Sequence, residues 1–395
     1  METEVLEHVH RDGQNIEKRV VWIWVSYTHT KKIINTSRTM RKVNKMKIRI
    51  ISSSSPIVGI GRYTTDLYRA TQPYSKLINF VTNKKVLPEI NEGEIIKGFF
   101  PNFLPSGWFI NHHFIKIVYR KKRNELKSET KDGAILHYSS PEENPITKKG
   151  LSVVTYHDII PLKPIADLPN SFTKSFKTNL KHYKKFENVL TVSDYVKNDL
   201  QNIDFTGNIT TIYPAVSKTF YPVENKDALR DELKLPKDKT LILSVSSTER
   251  RKNLITIKKV IEKLDNNYKL VRVGQAVDNS ITFNKIDNVL LNKIYNACDV
   301  LLFPSLEEGF GYPVIEAFTT GLPVVSSNIT VIKEIAGDSA ILINPLDIEE
   351  VINGIGQALE NKTYFSNKGF ERAKMFDFEA FKVRINRYYE QILEK

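Results

Sequence analysis

The sequence predicts an α/β protein built from two doubly wound parallel-sheet domains. Three observations carry that prediction. The chain has 395 residues, more than a single hydrophobic core usually organises. Short β-branched runs alternate with helical stretches over most of its length, as βα units require. The alternation also comes in two series, divided by the polar, charged stretch "VENKDALRDELKLPKDKT" at 223–240.

Taken in order, residues 1–45 read as an extension of unknown role. "VVWIWV" at 20–25 is too short to cross a bilayer, and the segment before it lacks the basic region and cleavage site of a signal peptide. "KIRIIS" from Lys47 opens the first domain, residues 46–222. Its later strands are "GAILHYS", "LSVVTYHD", "NVLTVSD" and "ITTIYP". The second domain, 223–380, has "LILSVSS", "YKLVRVG", "DVLLFPS", "LPVVSS" and "AILIN" as its strands. Two such units place a ligand cleft between the carboxyl ends of two sheets. Residues 381–395 close the chain as a helix, with Phe381, Ile385, Tyr389 and Ile392 forming an apolar stripe that needs a packing surface.

Composition bounds the chemistry. With 41% apolar and 26% charged residues the chain has ample core and folds without disulfides; its single cysteine, Cys298, reads as buried filler. A formal charge of +13 predicts attraction to polyanions. No zinc-knuckle spacing, RNP-like motif or helix-turn-helix signature accompanies the lysines, so nucleic acid is not expected as a partner. The paired His112 and His113 lack further ligand-type residues at metal spacing, so no metal site is predicted.

The segment "PSLEEGFGYPVIEAF" at 304–318 is the most informative. It follows a buried strand, Pro313 suits the start of a helix and Gly321 suits its end. Glu308 then lies in the strand-to-helix loop, with Glu316 about one turn into the helix. Gly309 and Gly311 remove side chains where the backbone must approach a ligand, and the helix N-terminus offers unpaired N–H groups to the same space. Carboxylates and amides converging in this way suit a hydroxyl-rich ligand carrying phosphate. In "LILSVSSTERRKNL", Arg251 and Lys252 sit in another strand-to-helix loop, where cations can face a diphosphate.

Two further loops follow strands of the first series. "SSSSPIVGIGRYTT" sets Gly59 and Gly61 between a strand and its helix; the sixth position of a dinucleotide fingerprint is Thr64, so nicotinamide cofactors are not indicated. "VVTYHDIIP" ends a very apolar strand in His157 at the expected cleft. Ser193 and Asp194 read as a helix start, where N-capping is the simplest role. On a helix through 172–185, Lys174, Lys177, Lys181, Lys184 and Lys185 share one arc while Phe172, Phe176, Leu180 and Tyr183 face the other way. Such a strip could rest on acidic lipid headgroups.

"EEGFGYPVIEA" followed by "TTGLPVVSSNITVIKEIAGDSAILINPLD" resembles the donor-sugar motif of the retaining glycosyltransferases of family 4, and "STERRKN" resembles that family's phosphate loop. The resemblance covers about residues 46–395. It implies the GT-B architecture, two facing Rossmann-like domains with the final helix crossing back onto the first. It implies that Glu308 meets the transferred sugar, that Glu316 meets the nucleotide ribose, and that the amides of Gly309, Phe310 and Gly311 hold hexose and phosphate. Lys252 would neutralise the leaving diphosphate, and a histidine like His157 would contact the sugar. Gly59 and Gly61 match the family's glycine-rich loop. Ser246, Ser247 and Arg250 depart from the pattern, so Arg251 stands as the candidate second phosphate cation.

The implied activity is metal-independent transfer of a hexose, with mannose favoured, from a GDP- or UDP-linked donor to a glycan or lipid-linked acceptor. No cofactor beyond that substrate is implied. The expected location is cytoplasmic, at the inner face of a membrane. The rivals are a sugar-nucleotide epimerase on the same fold and a non-catalytic membrane or glycan scaffold.

Overall fold

The computed structural model describes residues 46–54, 59–81, 92–97, 120–142, 145–147, 151–166 and 168–394. The N-terminal extension and the pair His112 and His113 lie outside these. The first sheet contains β1 (Ile48–Ser52), β2 (Ser75–Val81), β3 (Glu94–Lys97), β4 (Ile135–Tyr138), β5 (Ser152–Tyr156), β6 (Asn188–Thr191) and β7 (Asn208–Thr211) in the order β3-β2-β1-β4-β5-β6-β7. All its pairings are parallel; Ile50, for example, lies between Leu77 and His137.

The second sheet contains β8 (Thr240–Val245), β9 (Tyr268–Val273), β10 (Ile281–Phe283), β11 (Val300–Phe303), β12 (Val324–Ser327) and β13 (Ile341–Ile343), in the order β10-β9-β8-β11-β12-β13 and again parallel. Strands β1, β4, β5, β6, β11 and β12 are buried along their whole length, the signature of sheets covered on both faces.

The covering helices of the first half are α1 (Gly59–Ala70), α2 (Arg120–Lys131), α3 (Asn170–Tyr183) and α4 (Asp194–Gln201). Those of the second are α5 (Lys226–Glu232), α6 (Leu254–Lys263), α7 (Asn288–Ala297), α8 (Tyr312–Thr320), α9 (Thr330–Ala336), α10 (Ile348–Glu360) and α11 (Lys362–Ala373). Several start as their sequences require: Ser193 accepts from Val196 N, Asp287 from Leu290 N and Asp347 from Glu350 N. Cys298 is buried at the end of α7, where burial pushes its thiol pKa up, as suits packing and not reactivity.

The last helix, α12 (Phe378–Glu394), returns to the first half and packs on α1. Asn386 Nδ2 donates to Ala70 O at 2.9 Å, and Phe381 meets Tyr63 edge-on with ring centroids 6.0 Å apart. Tyr389 reaches the buried His137 Nδ1, whose Nε2 lies 2.7 Å from Thr155 Oγ1, and Thr155 in turn lies 3.0 Å from the Tyr63 hydroxyl. The chain is therefore two Rossmann-like units closed by a crossing C-terminal helix.

Three strands have no counterpart in the sequence reading. β2 ("SKLINFV") mixes polar with apolar residues because Ser75 and Asn79 are hydrogen-bonded inside the fold. β3 and β10 are short strands at sheet edges, where continuous apolar runs are not needed.

Candidate active site

Both sheets reverse their strand order once, at β1/β4 and at β8/β11. Ligands of open parallel sheets bind outside the carboxyl ends at such points. The loop 246–252 follows β8 and the loop 304–311 follows its neighbour β11, so the two segments singled out in the second half are brought side by side. A backbone bond fixes them: Leu306 N donates to Arg251 O at 2.7 Å. Asn253, in the left-handed conformation at φ 55°, completes the junction by donating from Nδ2 to Pro304 O at 3.1 Å and Pro345 O at 2.9 Å.

Glu308 projects from this junction and is only 6% exposed. One carboxylate oxygen accepts from Lys252 Nζ at 2.6 Å and the other from Arg251 Nη1 at 2.9 Å. Arg251 is itself oriented by Glu249, which accepts from Nε at 2.6 Å. Burial pushes the Glu308 pKa up, but Lys252 and then Arg251 outweigh it and hold the carboxylate below its ordinary value. The result is a buried anion with two cations on one side, and removal of both would strand the charge.

α8 is built as its punctuation demands. Gly311 caps it at φ 114°, Pro313 lies in its first turn and Gly321 ends it at φ 74°. Phe310 anchors the loop by its buried ring, packed against Tyr312 and Phe376. Gly309 has a different reason to be glycine: a Cβ there would sit 1.8 Å from His157 O. The loop 304–311 thus touches the backbone of the opposite half at the predicted histidine.

Glu316 does not share the cations of Glu308. It is 1% exposed, and both of its oxygens are taken: one by Arg62 of α1, the other by the Tyr295 hydroxyl at 2.8 Å. The Arg62 guanidinium also lies over the rings of Tyr312 at 5.0 Å and Phe220 at 5.6 Å. The nearby Gly59 and Gly61 occupy the first turn of α1, a correction to their expected place in the loop before it. Gly59 faces the Tyr312 ring, which a Cβ would meet at 3.7 Å.

His157 directly follows β5 beside the site. Its Nε2 donates to Ser139 O at 2.9 Å, which leaves Nδ1 as the acceptor nitrogen of a neutral ring. Burial pushes the imidazole down to about 4, against the opposing hydrogen bond to Ser139. Its edge meets Tyr63 at 4.8 Å, linking it to the chain Tyr63, Thr155, His137, Tyr389 that the returning helix completes. Asp158, next to it, has its carboxyl pushed up by burial and drawn back partly by Arg251.

A family model described as "Glycosyl transferases group 1" matches residues 225–376, the segment that carries Lys252, Glu308 and Glu316. This segment is similar to the group 1 glycosyl transferases. Among curated relatives, the "Serotype-specific mannosyltransferase WbdA" of Escherichia coli is 26% identical over 255 residues, covering 54% of this chain and 30% of that protein. The chain therefore spans about 30% of the length of WbdA. The "O-antigen chain mannosyltransferase RfbU" of Salmonella typhimurium is 26% identical over 260 residues, 60% of this chain and 68% of that protein. Among solved structures, Alr3699/HepE of Anabaena, in complex with UDP and glucose, superposes with a TM-score of 0.71 at 16% identity, over 88% of this chain and 100% of that one. The fold is thus the GT-B fold of glycosyltransferases.

Within the matched segment, the departures Ser246 and Ser247 have a structural account. Arg272 of β9, fully buried, donates to Ser246 O at 2.6 Å, Ser246 Oγ at 3.0 Å and Ser244 O at 3.1 Å. The cation that organises this loop comes from the neighbouring strand. Gly274, just beyond, is at φ 127°, and a Cβ there would meet Ser246 O at 2.3 Å.

Side chains that the sequence reading passed over join the domain to the first half. Lys163 donates to Glu307 at 2.8 Å, as does the Tyr195 hydroxyl at 2.7 Å. Glu334 accepts from the N-terminal amides of α4 at Asp194 and Tyr195, and Ser193, besides capping that helix, donates to Gly309 O at 2.7 Å. No local pattern reports such partners; the one signal was Arg62, adjacent to a glycine already noted. Among the described residues no group of three or more His, Cys, Asp or Glu is placed to hold a metal ion.

The basic strip is smaller than expected. Lys174, Lys177, Lys181 and Lys185 are exposed, while Phe176, Leu180 and Tyr183 are buried. Lys184 is a correction: α3 ends at Tyr183, and the Lys184 ammonium turns back to the Ile203 carbonyl. Among the described residues no helix is long and apolar enough to cross a membrane.

Proposed function

We propose that this chain is a retaining hexosyltransferase of glycosyltransferase family 4, moving a hexose, mannose by preference, from a nucleotide-diphosphate donor to a glycan or lipid-linked acceptor. The observation that carries the reading is the buried Glu308 held between Lys252 and Arg251, at the strand ends of the matched segment and against the His157 backbone. The relatives named as mannosyltransferases support mannose, and the HepE complex with UDP and glucose supports a nucleotide sugar as ligand.

In this reading Lys252 and Arg251 turn from Glu308 toward the diphosphate, stabilising the leaving dianion together with the amides of Gly309, Phe310 and Gly311. Glu308 then accepts hydrogen bonds from the sugar hydroxyls, and Glu316 from the ribose. Departure of the diphosphate runs ahead of attack by the acceptor from the same face. The two side-chain cations supply the charge that a metal would otherwise supply, so no metal or further cofactor is required. Neutral His157 contacts the sugar through Nδ1 and does not serve as a strong base. Gly59 and Gly61 border the donor from the opposite half. Lys174, Lys177, Lys181 and Lys185 rest the protein on the acidic inner face of a membrane.

A panel of GDP- and UDP-hexoses, assayed for nucleotide release with and without isolated membranes, tests this directly. Release from one donor that depends on the membranes is the expected result. Donor conversion that ignores any acceptor would mark an epimerase, and no conversion of any donor would contradict transfer.

A further inference from the structure

Arg272 stands between Val271 and Val273 in β9 and is fully buried. Among the described residues no carboxylate pairs with it. Burial pushes its guanidinium down to about 10, which leaves it charged at neutral pH. A buried cation without a counter-ion is costly, and an aliphatic side chain would fill this position of the strand without that cost. Its partners are carbonyl oxygens instead. Arg272 is in register with Ser244 of β8, and its guanidinium crosses the carboxyl ends of both strands. It donates to Ser244 O at 3.1 Å, Val273 O at 3.2 Å, Ser246 O at 2.6 Å and Ser247 O at 3.4 Å, while Nε has no partner among the described residues.

The bonds to Ser246 and Ser247 orient a turn. In a trans peptide the N–H points opposite to the C=O, so carbonyls turned toward Arg272 leave the amides of Ser247 and Thr248 pointing away from it. Both residues are exposed, and neither amide donates to any group among the described residues. The amide one position earlier is not free: Ser246 N donates to Val273 O at 3.2 Å. Two open N–H groups on consecutive residues are the donor pattern of a backbone anion site. They lie in the loop after β8, the loop that also carries Arg251 and Lys252, at the reversal of strand order. No carboxylate cancels the charge behind them, so an anion in front of the turn feels it through protein and not through water.

We infer that Arg272 is a positioning residue for the donor's diphosphate: it turns the amides of Ser247 and Thr248 toward the phosphate oxygens and backs them with an uncancelled positive charge. The inference rests on the nucleotide-sugar reading above and adds a backbone set of donors to Lys252 and Arg251. Titration calorimetry of the full chain tests it, using whichever of GDP and UDP the wild type binds, with the matching nucleoside read as a competitor. Arg272→Met keeps an unbranched side chain and removes the charge. It is expected to bind the nucleoside diphosphate about tenfold or more weakly with nucleoside affinity unchanged, because only the phosphates face the turn. Arg272→Lys, which keeps the charge and loses the fork, is expected to lie between the two. If Arg272→Met does not fold, Arg272→Lys decides alone: a loss confined to the diphosphate supports the assignment, and wild-type affinity overturns it. Equal weakening of both ligands, or lower thermal stability with both affinities kept, would mark Arg272 as a structural residue only and overturn the assignment while leaving the donor reading in place. Binding of neither nucleotide by the wild type would defeat both.

Discussion

The two glutamates of the donor-side segment sit eight positions apart in sequence and live in different electrostatic surroundings. Glu308 is held by Lys252 and Arg251, both from its own half, with backbone bonds fixing loop to loop. Glu316 is held by Arg62 from the opposite half and by Tyr295 from its own. The first cluster draws on one half alone; the second gains its cation only when the halves meet. Similar residues in one motif thus divide the work: one end is a preorganised charge cluster, the other a contact between halves.

Breaking the Glu308 cluster should have the largest effect. Lys252→Ala is expected to lower kcat about 10²- to 10³-fold in a donor-turnover assay, the scale of losing one strong donor to a developing anion. Breaking the Glu316 contact should act on stability. Arg62→Met leaves a buried carboxylate with no cation and is expected to cost about 3 kcal/mol in denaturant unfolding. The double variant Arg62→Met with Glu316→Gln should recover part of that loss, and strict additivity would argue against the pair.

The histidine that Gly309 touches sharpens the comparison through pH. Because the folded-state pKa of His157 is depressed to about 4, protonation favours the unfolded chain, and its contribution to stability falls as pH drops from about 6.5 to 4. The stability advantage of wild type over His157→Asn should shrink by about 2 kcal/mol across that window, measured by urea unfolding at each pH. A difference that does not vary with pH would mean that folding does not depress the ring's pKa. The smallest effect per residue is expected at the surface. Exchanging Lys174, Lys177, Lys181 or Lys185 for Gln should weaken binding to acidic vesicles by about 1 kcal/mol per lysine lost, with turnover of a soluble acceptor unchanged.

Much of this was legible from local pattern. The βα alternation, the Pro313 and Gly321 punctuation and the loops after apolar strands place Lys252, Arg251 and Glu308 together, because strand ends at a switch point leave little freedom. The final helix was legible from an apolar stripe that needed a surface, but its crossing onto the first half was implied only by the family resemblance. What escaped notice was pairing at long sequence separation. Arg62 meets Glu316 across 254 residues, and Lys163 meets Glu307 across 144; no periodicity encodes either. Lys184 was misassigned because the helix stops one residue short of it, and a flexible lysine then finds a carbonyl behind the strip.

The Glu308, Lys252 and Arg251 cluster is proposed to grip a nucleotide-diphosphate donor. Thermal unfolding with and without a nucleoside diphosphate, for wild type and Lys252→Ala side by side, tests it most directly. A wild-type midpoint raised by about 5 °C at ligand a hundredfold above Kd, and a variant left unmoved, is the predicted result. A wild type indifferent to both GDP and UDP, or a variant protected as fully as the wild type, would contradict the account.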